Sequence, residues 1–271
     1  MRVIEHNGFI EIEGGERFEP KHTFECGQCF RWREKEGRYE GVAFGKKLTV
    51  WTEKDSTFMT ATADDFEKIW RRYFDFDRNY GDITAAFEGD EFFQKAVEYG
   101  MGLRLLRQEP WEALCSFIIS QCNNISRIQK IIDTLCINFG QNMGDYFAFP
   151  TAERIAEAEL SDLDVLRSGY RAKYILSAAK AVAEGSFDFD LIDKMTTDEA
   201  RKYTMKLSGV GRKVADCFLL FGMGKYDAFP VDTWMKKAED HYDKKTFGGN
   251  FGEYAGIAQQ YIFYYARSSK I

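Results

Sequence analysis

Leu207-Ser-Gly209-Val-Gly211-Arg-Lys213-Val-Ala-Asp-Cys217 is followed by an apolar run and then by Ala228-Phe-Pro230-Val-Asp232. Helical patterns lie on both sides of the two glycines, so the stretch reads as helix, tight turn, helix, with the motif spanning about residues 200–217. Two glycines two positions apart permit a turn with φ > 0. The helix that opens after them starts with free N–H groups and the positive end of its dipole. Such a turn can cradle a phosphate, hold a cation on its carbonyls, or be a plain elbow between packed helices.

Lys213 lies in the first turn of that second helix, where the dipole disfavours a cation. An ordinary lysine, with a pKa near ~10.4, is only about 0.1% neutral amine around pH 7.4. Desolvation and the dipole both push that value down, and a fall of about three units makes the amine available as a nucleophile. Cys217 is at i+4 on the same helix face, so this face points into a pocket or the protein interior. Asp232 follows Pro230-Val231 and precedes a helical pattern, the place of an N-cap. A capping aspartate stays ionised and suits the stabilisation of developing positive charge. Together these parts fit a protein that holds a nucleic-acid backbone and attacks a sugar carbon with an amine.

Outward from this stretch the chain changes character once. Residues 9–12, 30–32, 39–44, 48–51 and 57–62 are short alternating or β-rich runs separated by Gly, Asp and Lys/Glu clusters, which predicts an antiparallel sheet of hairpins. From Ala63 the period becomes helical, and helices are predicted at 92–99, 111–121, 125–139, 151–158, 162–166, 172–184, 197–207, 212–221, 233–242 and 254–266. The fold class is α+β: a sheet domain over residues 1–75 and a helical domain over 76–271.

The 271 residues are 45% hydrophobic, enough for a sizeable core, and the 24 Phe are assigned first to packing. No apolar run is long enough to span a membrane and no charged-then-apolar leader opens the chain, so it is expected to be soluble and cytoplasmic. A net charge of −6 argues against a nonspecific nucleic-acid coat, though a local basic cluster can still bind phosphate. The six cysteines include one Cys26-Gly-Gln-Cys29, and the three histidines stand at no finger spacing. Reduced thiols are expected rather than zinc, and with no cysteine after Cys217 a C-terminal iron–sulfur loop is excluded.

The hairpin with Lys213, followed by Pro230-Val231-Asp232, resembles the helix–hairpin–helix Gly/Pro…Asp motif of DNA glycosylases, most closely the 8-oxoguanine DNA glycosylases. The likeness continues in order through 24–32 (Phe-Glu-Cys-Gly-Gln-Cys-Phe-Arg-Trp), 71–77 (Arg-Arg-Tyr-Phe-Asp-Phe-Asp), 103–107 (Leu-Arg-Leu-Leu-Arg), 120–127, 169–174 and 254–263, nearly the whole chain. It implies a TBP-like antiparallel sheet ahead of the helical domain, a bifunctional glycosylase and β-lyase, and duplex DNA with 8-oxoguanine opposite cytosine as partner. Lys213 would attack the sugar C1′ and Asp232 would stabilise the oxocarbenium-like state. The Gly27 carbonyl would accept N7–H of the lesion, a donor that guanine lacks. Phe263 and Cys217 would sandwich the flipped base and Gln259 would bind its Watson–Crick edge. Asn123, Arg127 and Arg171 would read the orphaned cytosine, Tyr170 would wedge into the duplex, and Gly209 and Gly211 would shape the phosphate grip. Carbonyls of Met205, Leu207 and Val210 would hold a structural monovalent cation when DNA is bound. No other cofactor is implied, and a monomer is expected.

Two positions depart from the family pattern. Cys122 stands where many members carry asparagine. Trp234 stands where a phosphate-binding histidine is often found, and an indole offers one N–H and a large face instead. Three other readings remain open at this level. The scaffold can serve another lesion, such as an alkylated purine; it can be a noncatalytic DNA-binding module with steep salt dependence; or the hairpin can serve packing alone.

Overall fold

The computed structural model describes residues 1–14, 17–242 and 247–269. The N-terminal strands are β1 (Arg2–His6) and β2 (Phe9–Glu13), followed by helix α1 (Pro20–Glu25). Strands β3 (Trp32–Lys35), β4 (Arg38–Ala43), β5 (Lys46–Glu53) and β6 (Ser56–Met59) complete a six-stranded sheet of order β1-β2-β6-β5-β4-β3. The larger helices are α2 (Glu91–Tyr99), α3 (Pro110–Ser120), α4 (Ile125–Phe139), α5 (Arg171–Ala183) and α6 (Thr197–Thr204). They are followed by α7 (Arg212–Phe221), α8 (Thr233–Ala238) and α9 (Ala255–Ser269). The α+β class stands.

Period-2 alternation builds the sheet. Ile10 pairs with Met59, which pairs with Val50, and all three side chains are fully buried, so one row of the inner face crosses three strands. The helices carry their stop and start signals in the sequence. Asn124 caps α4 by accepting from the Arg127 N–H at 2.9 Å, and Thr196 with Glu199 forms a capping box on α6.

The chain divides into two compact units, each drawn from more than one stretch of sequence. The first unit comprises residues 1–41, 48–107 and 229–271; the second comprises 42–47 and 108–228. In the first, α9 packs on α2 and α8, so the C-terminal helices join the unit that holds most of the sheet. In the second, α3 is apolar on all sides and forms the core against α4, α5 and α7. The β4–β5 tip belongs to this unit, where Lys47 pairs with Asp145 at 2.6 Å and the Tyr146 hydroxyl donates to the Gly45 carbonyl at 3.0 Å. These associations are nonlocal in sequence, which is why no composition shift marks them. Among the described residues no helix is long and apolar enough to cross a membrane.

Candidate active site

In the second unit the hairpin runs from the end of α6 through residues 205–210 to Gly211, the N-cap residue of α7. Its turn is closed by Leu207 N–H to the Thr204 carbonyl and Val210 N–H to the Leu207 carbonyl, each 3.1 Å. Gly209 has φ +76°, and a Cβ there would lie 2.4 Å from the Tyr174 ring. Glycine is therefore needed both for the turn and for the approach of that ring. No side chain caps α7, so the N–H groups of its first turn are open to an anion.

Lys213 is the second residue of α7 and is half-buried, with Nζ 5.7 Å from the centre of the Phe117 ring. Phe117 in turn stacks on Phe221 at 5.4 Å. Cys217, one turn on, is buried. The head of the lysine thus stands near an aromatic face, next to the first turn of α7. Behind it Asp216 is buried and takes hydrogen bonds from Arg201, with Arg212 Nε 3.6 Å away; Arg201 also reaches Asp198. This pair fastens α6 to α7 across the turn.

The α3–α4 connection lies in the same unit. Cys122 is exposed with φ +46°, and Asn123 donates from Nδ2 to the Ile119 carbonyl at 3.2 Å. Arg171 is buried; its Nε donates to the Gln121 carbonyl at 2.9 Å and its Nη2 to the Cys122 carbonyl at 3.1 Å. Its guanidinium therefore holds this connection in place. Arg127 is exposed, with Nη2 3.3 Å from the Arg167 carbonyl. Tyr170 is 46% exposed, with the Arg171 guanidinium 4.6 Å from its ring centre and the Tyr174 ring 5.8 Å away. Tyr174 so links the projecting Tyr170 to Gly209 of the hairpin.

The first unit holds Gly27, Gln259, Phe263, Asp232 and Trp234. Gly27 has φ +84°, and a Cβ would lie 3.0 Å from Arg267 Nη1 and 3.3 Å from Phe263 Cε1. Gln260 donates to the Cys26 carbonyl at 2.9 Å, and Gln28 bridges the carbonyls of Thr23 and Arg104 at 2.8 Å each. Burial pushes the Cys26 thiol up to about 11, so it is a packing group and not a nucleophile. Gln259 is 4% exposed, and its Oε1 is buried without a hydrogen-bond partner, while Phe263 on the next turn is half-buried. A buried amide oxygen without a partner has hydrogen-bonding capacity to spare. Asp232 caps α8: its Oδ1 accepts from Trp234 N–H and Met235 N–H, both at 2.9 Å. Trp234 is half-buried, with Lys237 Nζ 4.6 Å from its ring centre.

The comparisons with known proteins agree along the chain. Residues 11–114 match the family model of the 8-oxoguanine DNA glycosylase N-terminal domain, and residues 115–243 match that of HhH-GPD superfamily base excision DNA repair proteins. A probable N-glycosylase/DNA lyase of Methanothermobacter thermautotrophicus is 32% identical over 298 residues, covering 93% of this chain and 94% of that one. The chain belongs to the 8-oxoguanine DNA glycosylase family. The Saccharomyces cerevisiae N-glycosylase/DNA lyase is 40% identical over 155 residues, which span 50% of this chain and 40% of the yeast one. A solved 8-oxoguanine glycosylase/lyase of Clostridium acetobutylicum, in complex with double-stranded DNA containing cytosine opposite 8-oxoguanine, superposes with a TM-score of 0.95. It is 37% identical and is covered over 99% of its length by 100% of this chain.

Within this glycosylase, several side chains that shape the site carry no sequence signal of their own. Tyr174, Arg201 and Gln260 are visible as site elements only once packing brings Gly209, Asp216 and the Cys26 carbonyl to them. Asp216 is the exception, since an acid at i+4 from Arg212 inside the hairpin motif already hints at an ion pair. Among the described residues no group of three or more His, Cys, Asp or Glu converges on one point.

Proposed function

We propose that this chain excises 8-oxoguanine from duplex DNA, with cytosine opposite, and cleaves the strand through a Schiff base on Lys213. The observation that carries the reading is the placement of Lys213, half-buried and beside the Phe117 ring, in the uncapped first turn of α7, in a chain of this family. The deprotonated amine attacks C1′ as the base departs with a proton, and β-elimination then breaks the bond on the 3′ side. Asp232, the cap of α8, faces the cationic state with its carboxylate.

Recognition of the base draws on Gly27, Gln259 and Phe263 of the first unit and on Cys217 of the second. The Gly27 carbonyl takes N7–H, Gln259 meets the Watson–Crick edge, and Phe263 and Cys217 take the two faces of the extruded base. Asn123, Arg127 and Arg171 contact the orphaned cytosine, with Tyr170 as wedge, and Arg171 also holds the α3–α4 connection through the Gln121 and Cys122 carbonyls. Gly209 and Gly211 set the phosphate grip, and Trp234 offers its indole N–H to the DNA backbone. The carbonyls of Met205, Leu207 and Val210 hold a monovalent cation in the DNA complex. Leu207 already accepts one N–H, and its second lone pair is free for this. The enzyme acts as a monomer where the cell keeps its DNA, in the cytoplasm or, in a prokaryote, at the nucleoid.

The test is a nicking and base-release assay on duplexes carrying 8-oxoguanine opposite each of the four bases, beside alkylated-purine and undamaged duplexes. Release of 8-oxoguanine with 3′ cleavage, fastest opposite cytosine, is expected. Release of alkylated purines instead, or affinity for undamaged DNA with no release, contradicts it.

A further inference from the structure

One cation of the first unit has no part in the chemistry above and yet stands against its recognition turn. Arg267 follows Phe263 by four residues and Gln260 by seven, so all three share one face of α9. Gln260 holds the Cys26 carbonyl at 2.9 Å, and Arg267 Nη2 donates to the Glu25 carbonyl. The helix thereby grips the two peptide units that precede Gly27. The same guanidinium carbon is 5.4 Å from the centre of the Phe263 ring. Its Nη1 is buried without a hydrogen-bond partner and is the atom nearest to a Cβ on Gly27, at 3.0 Å, with Phe263 Cε1 next at 3.3 Å.

A buried guanidinium N–H without an acceptor is costly and is kept only where the geometry requires the group. Here the planar fork does two jobs at once. One arm is fixed on a backbone carbonyl, and the other borders the Gly27 position beside the Phe263 ring. Lysine, with a single ammonium and no plane, can do one of these and not both.

We propose that Arg267 is a positioning residue for lesion recognition: it sets the spacing between the Gly27 turn and the Phe263 ring, and so the seat of the flipped base. This rests on the reading of the chain as an 8-oxoguanine glycosylase. Cleavage at a preformed abasic site needs no base in that seat, which separates the two activities.

The experiment measures single-turnover base release from an 8-oxoguanine:cytosine duplex and strand cleavage of a duplex with a preformed abasic site, for wild type, Arg267→Met and Arg267→Lys. Misplacing a substrate by about 1 Å costs up to ~100-fold, so Arg267→Met is expected to slow release roughly 10- to 100-fold while abasic cleavage stays within about twofold. Arg267→Lys is expected to recover little of the loss, and a thermal melt identifies any variant that fails to fold; if Arg267→Met does, Arg267→Lys decides. Unchanged release, or an equal loss of both activities, overturns the proposal. A wild-type chain that releases no 8-oxoguanine overturns instead the functional reading on which it stands.

Discussion

At the residue scale the recognition turn depends on an absent side chain. Gly27 is at φ +84°, where an L-residue costs on the order of 1–2 kcal/mol, and its missing Cβ makes room for Arg267 Nη1 at 3.0 Å and Phe263 Cε1 at 3.3 Å. Gly27→Ala must strain the turn and push both neighbours by a few tenths of an ångström. We expect release of 8-oxoguanine to fall at least about tenfold, with abasic-site cleavage nearly intact. Equal rates of release for both proteins in single-turnover assays would show that the turn has slack. Such residues were only partly legible. Gly27 and Phe263 were reached through resemblance, because a lone glycine in a turn and a phenylalanine on a helix carry no distinguishing pattern. Gln260 and Arg267 were not reached at all, since their meaning lies in carbonyls more than 230 positions earlier in the chain. Arg171 was expected to face the orphaned base; its hydrogen bonds to Gln121 and Cys122, which also hold a loop, carried no signal in the sequence.

At the scale of elements, the helix–turn–helix was the most legible part of the chain. Glycines, caps and period lie in one contiguous stretch, and the bounds 125–139 and 212–221 match α4 and α7. Short elements fared worse. Strand β1 and helix α1, of five and six residues, are too brief for a period to declare itself, and tertiary packing stabilises them. What fixes the hairpin's angle is also tertiary: the buried Arg201–Asp216 pair between α6 and α7. Removing Asp216 leaves the largely buried Arg201 guanidinium paired only with the exposed Asp198. Asp216→Ala is therefore expected to cost about 3 kcal/mol in urea unfolding, with Arg201→Met/Asp216→Leu recovering part of it. A loss below about 1 kcal/mol would mean that the pair behaves as a surface ion pair and that apolar packing sets the angle.

At the scale of the molecule, two compact units divide the proposed chemistry. Gly27, Gln259, Phe263 and Asp232 belong to one, Lys213, Cys217, Arg127 and Tyr170 to the other. A linear boundary near residue 75 follows from the change of hydrophobic period, which records where strands give way to helices. The grouping of residues 229–271 with the first unit rests on packing between segments far apart in sequence, which a hydrophobic period does not register. The class α+β and the family were legible because they depend on local period and ordered motifs. The central claim is the amine on α7. It is tested most directly by borohydride trapping on an 8-oxoguanine:cytosine duplex with wild type and Lys213→Gln. The account predicts a covalent protein–DNA adduct for wild type, and for Lys213→Gln no adduct with lesion binding largely retained; undiminished trapping in Lys213→Gln contradicts it.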